Sequence, residues 1–429
     1  MDILNQSIKS LNFADIIAFC QEKNREGIQI DYKKEYPQKG IAKHFASFSN
    51  TRGGILIIGV EEDRKSGVPI AWESIECDAK IIEKINQEAS NVEPIPAFDV
   101  HITDEINGKR FVLVRVYEGD KTPYYVQNDS NVWVRTGNIS NSIDIASPDG
   151  LELLFGKKEK AEKARNNFLS ISDELHEAAI GKEEKRIREE LRKEAEKEGS
   201  TTIFRYEKTI GVYDSICKIT LQPYFPGKSL TTPKKIKDDI DSIRFRNRNF
   251  VFPDLNVEPS PKGIRYFSYQ RSREILESQV VLGQGLIQDI FTASRKSPDE
   301  KSRIISLRAI AVRIFGIFKF ADRFYDKYGY QGVLLGNIEI NGATDVLEDV
   351  LVRRMVPIGS DFWEEDKTKE SLLSDYLWEI KIDTRILKEK DELRKYYEEL
   401  LEEIYWDFGF EEIGDGVLDK FLEENGFTF

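Results

Sequence analysis

Three histidines, three cysteines and two methionines are all the chain holds of these side chains in 429 residues. His44, His101 and His176 are too few for a multi-histidine metal centre. Cys20, Cys77 and Cys217 form an odd, scattered set without a Cys-x-x-Cys pair, so neither a disulfide framework nor a zinc site is indicated. No run of eighteen apolar residues occurs, and Met1-Asp2-Ile3-Leu4 does not open a signal peptide. A cytoplasmic protein with no membrane partner is the expectation. No internal repeat of fixed period occurs either, so a solenoid is not indicated.

What is present suits a soluble globular chain: 40% hydrophobic and 32% charged residues, and a length that calls for two or three domains. The net charge of −13 is unevenly placed. Residues 361–429 carry 9 basic and 22 acidic side chains, so that tail alone holds −13 and the rest balances. An acidic total therefore does not exclude a locally basic, nucleic-acid-binding surface.

Along the chain, apolar spacing over 3–20 predicts one or two short amphipathic helices. Ile28–Lys33 alternates as a strand, with Ile28, Ile30 and Tyr32 on one face and Asp31 and Lys33 on the other. Gly40 to Ser49 reads as a helix ended by Asn50-Thr51-Arg52-Gly53-Gly54. Ile55–Val60 is an apolar run expected to be a strand buried on both faces. A helix over 78–89 and strands over 97–103, 110–117 and 132–135 follow, with Asn107-Gly108 as a hairpin turn. Residues 157–199 are charge-dense; Ala164, Phe168, Ile171, Leu175 and Ala178 form a narrow seam suited to a partner helix, interrupted at Gly181. Beyond Thr201, strands are expected over 212–221, 243–252, 265–269 and 332–340, and helices over 302–328 and 384–408. The mixture with hairpins argues for α+β rather than a doubly wound sheet. The expected domains are 1–150, a charged helical connector over 151–200, and an α+β domain over 201–429 with an acidic helical tail.

Chemistry concentrates between Glu26 and Glu62. Carboxylates beside a lysine are the minimum equipment for Mg²⁺- or Mn²⁺-assisted phosphodiester cleavage: the acids hold the metal and the lysine offsets developing charge. Asp31 and Lys33 share a strand face, and Glu26 returns to them only if the chain bends at Gly27. Glu61, Glu62 and Asp63 follow a buried strand, where a solvated turn is the commoner meaning. Asn50, Thr51, Arg52, Gly53 and Gly54 either cradle a phosphate through backbone N–H groups or simply end a helix. Without the Lys-Ser/Thr ending of a P-loop, ATP is a weak option. Arg135 is either a phosphate contact or half of a strand-end ion pair, and His44 is by default a surface histidine.

These motifs carry a resemblance. Glu26-x4-Asp31-x-Lys33, then Ala46-x-Phe48-x-Asn50-Thr51-x-Gly53-Gly54-x4-Gly59-Val60-x-Glu62, then Val134-Arg135-x-Gly137-Asn138, resembles the AlbA-like domain of the Schlafen family over about residues 10–145. The resemblance implies a mixed sheet with helices that binds nucleic acid. In animal Schlafens the same core is a metal-dependent endoribonuclease acting on tRNA and rRNA, with catalytic acids at the positions of Glu26, Asp31 and Glu62. Here Asp31 stands where the family has Glu, and Glu62 where it has Asp. The animal enzyme also clamps its substrate between two such lobes, so the resemblance implies a homodimer here.

A second basic feature lies further on. If residues 243–252 form one strand, Arg244, Arg246 and Arg248 share a face, and nearby aromatics suit a grip on a single strand of nucleic acid. The reading is a Schlafen-type nucleic-acid-binding protein acting on RNA, with tRNA favoured, or on another single strand. Glu26, Asp31 and Glu62 hold Mg²⁺ or Mn²⁺, and Lys33 completes the catalytic set. The alternatives are a non-catalytic regulator binding nucleic acid or nucleotide, and an oligomeric scaffold.

Overall fold

The computed structural model describes residues 3–427, except 6–7, 38–39, 78–79, 130, 137–138, 145–147, 198–214, 227–228, 248–249, 272, 297–301, 343–351, 357, 359–368, 371–372, 374 and 414–415. The chain divides into two compact units, residues 1–162 with 329–332, and residues 163–328 with 333–429.

The first unit opens with two 3₁₀ turns, Ile3–Asn5 and Ile8–Ser10, and helix α1, Phe13–Gln21. Asn12 starts α1 by a reciprocal cap: its Oδ1 accepts from Asp15 N at 3.0 Å, and Asp15 Oδ2 accepts from Asn12 N at 2.9 Å. Strand β1 (Ile30–Lys33) and helix α2 (Ile41–Asn50) follow, then β2 (Gly54–Ile58) and the short pair β3 (Glu61–Glu62) and β4 (Pro69–Ala71). Helix α3 spans Lys80–Ser90. After it come β5 (Val92–Glu93), β6 (Phe98–Ile102), β7 (Val112–Val116), β8 (Tyr125–Val126), β9 (Asn131–Thr136) and β10 (Ile139–Asp144).

One sheet has the order β1-β2-β7-β6 and a second β10-β9-β8-β5. The pair β1–β2 is parallel, and β2–β7 and β6–β7 are antiparallel. All of β2 is buried because both faces of its sheet are covered. Ile41, Phe45 and Phe48 of α2 and Ile85 of α3 pack with Leu56 and Val114 on one side. On the other, Ile3, Ile8, Phe13, Ile16 and Phe19 pack with Tyr32, Ile55, Ile57 and Leu113. Asn107 and Gly108 take positive φ at the tip of the β6–β7 connection, as a two-residue hairpin turn requires.

Helix α4 runs from Pro148 to Lys197 without a break at Gly181. In the second unit its seam meets a sheet, not a helix: Phe168, Leu169, Ile171 and Leu175 pack on Val280, Leu282 and Leu286, and Ile180 and Ile187 pack on Leu276. The elements after α4 are β11 (Ile216–Pro223), α5 (Pro233–Ile243), β12 (Phe245–Arg246), β13 (Val251–Phe252), β14 (Glu258–Ser260), β15 (Gly263–Gln270), β16 (Ile275–Leu282) and β17 (Ile287–Thr292). Then come β18 (Ser294–Lys296), β19 (Ser302–Ser306), α6 (Leu307–Lys327), β20 (Val333–Asn341), β21 (Val352–Val356), β22 (Lys369–Glu370) and β23 (Tyr376–Asp383). Helices α7 (Thr384–Lys388), α8 (Lys390–Asp407) and α9 (Val417–Glu424) complete the chain. A seven-stranded antiparallel sheet, β14-β15-β16-β17-β11-β20-β23, forms the centre.

Three expectations need correction here. The strand expected over 243–252 is a hairpin, because Asn247 closes a turn on Phe250 through two hydrogen bonds of 2.9 and 2.6 Å. The helix expected from Ser302 starts at Leu307, where the Ser306 Oγ cap accepts from Ala309 N at 3.2 Å; the preceding five residues are β19. The helix expected over 384–408 is two, separated at Glu389. Among the described residues no helix is long and apolar enough to cross a membrane.

Candidate functional site

Gly27 turns the chain tightly, its N–H donating to the Ile30 carbonyl at 3.1 Å. The bend brings Glu26 back alongside β1, where Oε1 accepts from Tyr32 N at 2.9 Å. Asp31 does not face solvent as a half-exposed strand would place it. It is 2% exposed, because α2 and β9 close over that face. Three cationic or potentially cationic groups surround its carboxylate: Lys33 Nζ on Oδ1, Arg135 Nη1 on Oδ2, and His44 Nδ1 at 3.3 Å from Oδ2.

Arg135 is as buried as its partner. Its Nη2 donates to the carbonyls of Gly27 (2.7 Å) and Ile30 (3.2 Å), and its guanidinium lies 4.9 Å from the Phe48 ring centroid. Of the two meanings open for Arg135, the strand-end ion pair is the one formed. Lys33 donates also to the Tyr32 carbonyl at 2.7 Å while its side chain stays 28% exposed, so it is the cation of this cluster within reach of solvent.

Burial by itself would raise the Asp31 pKa, but His44, Lys33 and Arg135 together hold it well below the usual carboxylate range. Glu26 moves the opposite way. Burial first, then the charges of Asp31 and Glu62, push its carboxyl up to about 7. Glu26, Asp31 and Glu62 thus share one electrostatic neighbourhood, with Glu62 on β3 beside Pro69.

A sign for stability follows. Unfolded, Glu26 titrates near 4.5; folded, near 7, so the native state holds its proton longer. Stability contributed by this group is present below about pH 4.5 and falls as pH rises to about 7. Glu26→Gln keeps an oxygen for Tyr32 N and removes that fall. Urea denaturation should show the variant equal to wild type near pH 4.5 and more stable at pH 8. Discounting for a half-exposed group gives on the order of 1–2 kcal/mol. A variant less stable than wild type at pH 8 would contradict the assignment.

The Asn50–Gly54 turn is built from internal bonds. Asn50 Nδ2 donates to the carbonyls of Tyr124 (2.7 Å) and Trp133 (2.9 Å), and its Oδ1 accepts from Tyr124 N (2.8 Å). Thr51 Oγ1 donates to Ser47 O (2.7 Å) and accepts from Arg135 N (2.9 Å). The N–H groups of Thr51 and Gly53 both donate to Phe48 O, at 3.0 and 2.9 Å. Gly53 has φ +65°, and a Cβ on Gly54 would lie 2.3 Å from the Phe48 ring, so both glycines answer to packing. Arg52 is the exposed member of the five.

Two groups absent from the sequence argument complete the turn. Lys157 of α4 donates to the Thr51 carbonyl at 2.6 Å and pairs with Glu118 at 2.5 Å, placing a cation at the negative end of α2. Its distance in sequence, about a hundred residues, left no local signal.

The structure therefore gathers Lys33, Arg135 and His44 around the buried Asp31 carboxylate, with Glu26 alongside β1 and Glu62 felt only through its charge on Glu26. Arg244 and Arg246 belong to the second unit. Arg244 is occupied there, its Nε donating to Pro253 O at 2.9 Å and its Nη1 pairing with Asp241, while Arg246 is exposed. Arg248, Gly137 and Asn138 lie outside the described residues.

As arranged, Asp31 and Glu26 are engaged by partners within the protein. Both Asp31 oxygens face an ammonium or guanidinium at ion-pair distance, and Glu26 Oε1 already accepts a backbone hydrogen bond. Among the described residues no group of three His, Cys, Asp or Glu is placed to hold a metal ion.

Comparison with known proteins bears on residues 26–144, which match the family model described as Schlafen, AlbA_2. No curated protein matches the chain. Among solved structures, the N-terminal domain of a protein from Nitrosomonas europaea described as an ATP-dependent DNA helicase RecG-related protein is similar. Identity is 18% over 32% of this chain and 94% of that one, with a TM-score of 0.25.

Proposed function

We propose that the first unit is a nucleic-acid-binding module, and that in the arrangement described it binds without cutting. The observation that carries this is the state of Asp31. Its charge is balanced by Arg135 and Lys33, so chemistry at the three acids requires the buried Arg135 pair to open, whereas phosphate binding needs only the surface cations Lys34, paired with Glu61 at 2.8 Å, and Arg52. The match to the Schlafen AlbA_2 model supports nucleic acid as the ligand, and Lys33, Lys34 and Arg52 offer exposed or half-exposed cations for phosphates.

A second reading is supported by the raised Glu26 pKa, to which the charges of both Asp31 and Glu62 contribute, beside the return of Glu26 to β1 at Tyr32 N. In that reading the unit is a metal-dependent endoribonuclease acting on RNA, with tRNA favoured, Mg²⁺ or Mn²⁺ as cofactor, and a homodimer supplying the second lobe. ATP is a lesser option, since two N–H groups of the glycine turn are already bonded internally.

The two readings separate in one experiment. Labelled tRNA, single-stranded RNA and DNA duplex are incubated with the full chain and Mn²⁺, and both binding and cleavage are measured. The proposal expects binding that weakens steeply with salt and no cleavage in either wild type or Glu62→Gln. Cleavage by wild type that disappears in Glu62→Gln would establish the second reading, and absence of binding to every substrate would overturn both.

A further inference from the structure

A groove of about 450 Å³ lies beside α2 and between the β5 and β8 ends, away from the acids. It falls within the range of small-ligand clefts, about 300–1,000 Å³. Lys43, Trp133, Gln127 and Asn128 line it, with Glu88 and Asp129 on its walls. Resting on the nucleic-acid-binding reading above, we infer that this groove takes an unpaired base of a single-stranded nucleic acid, stacked on Trp133 with its phosphate held by Lys43.

The state of the indole is the main argument. Alternation along β9 sends Val132 and Val134 into a cluster with Leu154, and Trp133 to the face that meets α2. Trp133 stays half-exposed, yet its only polar atom is tied down: Nε1 donates to Asp129 Oδ2 at 2.8 Å. Asp129 is fixed in turn, its Oδ1 accepting from Asn131 N at 3.0 Å and Asn131 Nδ2 at 2.8 Å. The ring is therefore held at one angle by a hydrogen-bonded support while part of it faces the groove. A base needs such a rigid platform, because stacking loses little entropy when the ring is already fixed.

The polar groups around it divide by availability. Both acids on the walls already have structural bonds: Asp129 carries the indole, and Glu88 Oε2 accepts from Ala42 N at 3.3 Å. Lys43 has no carboxylate partner among the described residues, and its ammonium rests 5.7 Å from the Trp133 ring centroid. A flexible cation at that position can leave the ring for a phosphate when a base arrives. Gln127 and Asn128 are exposed, and Asn128 sits at φ +62° in the turn that presents both amides to the rim. Amides on the rim suit the donors and acceptors of a base edge, which a duplex keeps paired.

Fluorescence anisotropy of the full chain with short labelled oligonucleotides tests this. The set is single-stranded RNA, single-stranded DNA, the matching duplex, and a DNA strand of abasic sites. Wild type should bind the single strands more tightly than the duplex, and the abasic strand weakly. The ratio of RNA to DNA affinity reports which single strand is preferred. Trp133→Ala should weaken single-strand binding by roughly 5- to 150-fold, with Trp133→Phe losing less because a ring remains. Lys43→Ala should weaken binding and lower the salt slope by about 1. Unchanged affinity in Trp133→Ala, or an abasic strand bound as tightly as the intact one, would overturn the groove while leaving the binding function in place. Failure of wild type to bind any strand would overturn both. If Trp133→Ala does not fold, the Lys43→Ala and abasic measurements decide.

Discussion

Arg135→Met should destabilise the first unit by about 3–5 kcal/mol, the usual result of leaving one member of a buried ion pair without its partner. Methionine approximates the stem of arginine, so little volume is lost and the effect isolates charge. Asp31, 2% exposed, would keep Lys33 and His44 but lose the guanidinium on Oδ2. The carbonyls of Gly27 and Ile30 would lose a donor as well. The deficit should shrink in acid. With Arg135 gone, burial raises the Asp31 pKa, so the carboxyl protonates more readily and its uncompensated charge disappears as pH falls. Hydrogen exchange of amides in β1, α2 and β9 measures this locally. Asp31→Asn combined with Arg135→Met should recover a large part of the loss, since both charges leave together. A loss below about 1 kcal/mol in the single variant would show that the pair does not hold the unit together.

The second large effect belongs to the other unit. Arg313 of α6 reaches β17, where Nη1 donates to both oxygens of Asp289 at 3.1 and 2.9 Å, and Nη2 pairs with Glu277 of β16. Its guanidinium lies 4.1 Å from the Phe291 ring centroid and 4.9 Å from that of Phe250. Asp289 is fully buried; burial raises its pKa, against the pull of Arg313. Arg313→Met would leave two acids facing each other in the sheet, at a cost of about 3–5 kcal/mol. Because the Asp289 pKa would rise further, the loss should be greater at pH 7 than at pH 5. Exchange should rise in β16, β17 and α6. Equal protection of those amides in wild type and variant would refute the role given to this arginine.

Both charge centres show where sequence reading stops. The strands and helices of the first unit were legible because their periodicity is local: Ile55–Ile58 is apolar throughout, and Asn107-Gly108 is a turn wherever it stands. The fact that decides the chemistry was not local. Asp31 and Arg135 are 104 residues apart, and nothing in Ile30-Asp31-Tyr32-Lys33 tells that a second sheet will cover the aspartate's face. The distinction between an exposed catalytic acid and a buried counter-ion lies in that cover. Alternation misled at 243–252 for a related reason, since a two-strand ribbon and one long strand repeat alike and only Asn247 marks the turn. Of the seam expected over 164–178, Phe168, Ile171 and Leu175 pack as a stripe while Ala178 is exposed, and a seam does not state its partner. Trp133 could have been singled out from β9, where it shares a face with Arg135.

The capping lysine on α2 has a consequence for what counts as a module in this chain. The recognised region ends at residue 144, thirteen positions before Lys157, and begins at Glu26, after the segment whose Ile3, Ile8, Phe13 and Ile16 cover one whole side of the sheet. A fragment trimmed to the family boundaries would expose a greasy surface and leave Glu118 without its counter-charge. The matched stretch and the compact unit are therefore different lengths of the same polypeptide: the match covers 26–144, whereas the unit that contains it takes in residues 1–162 together with 329–332.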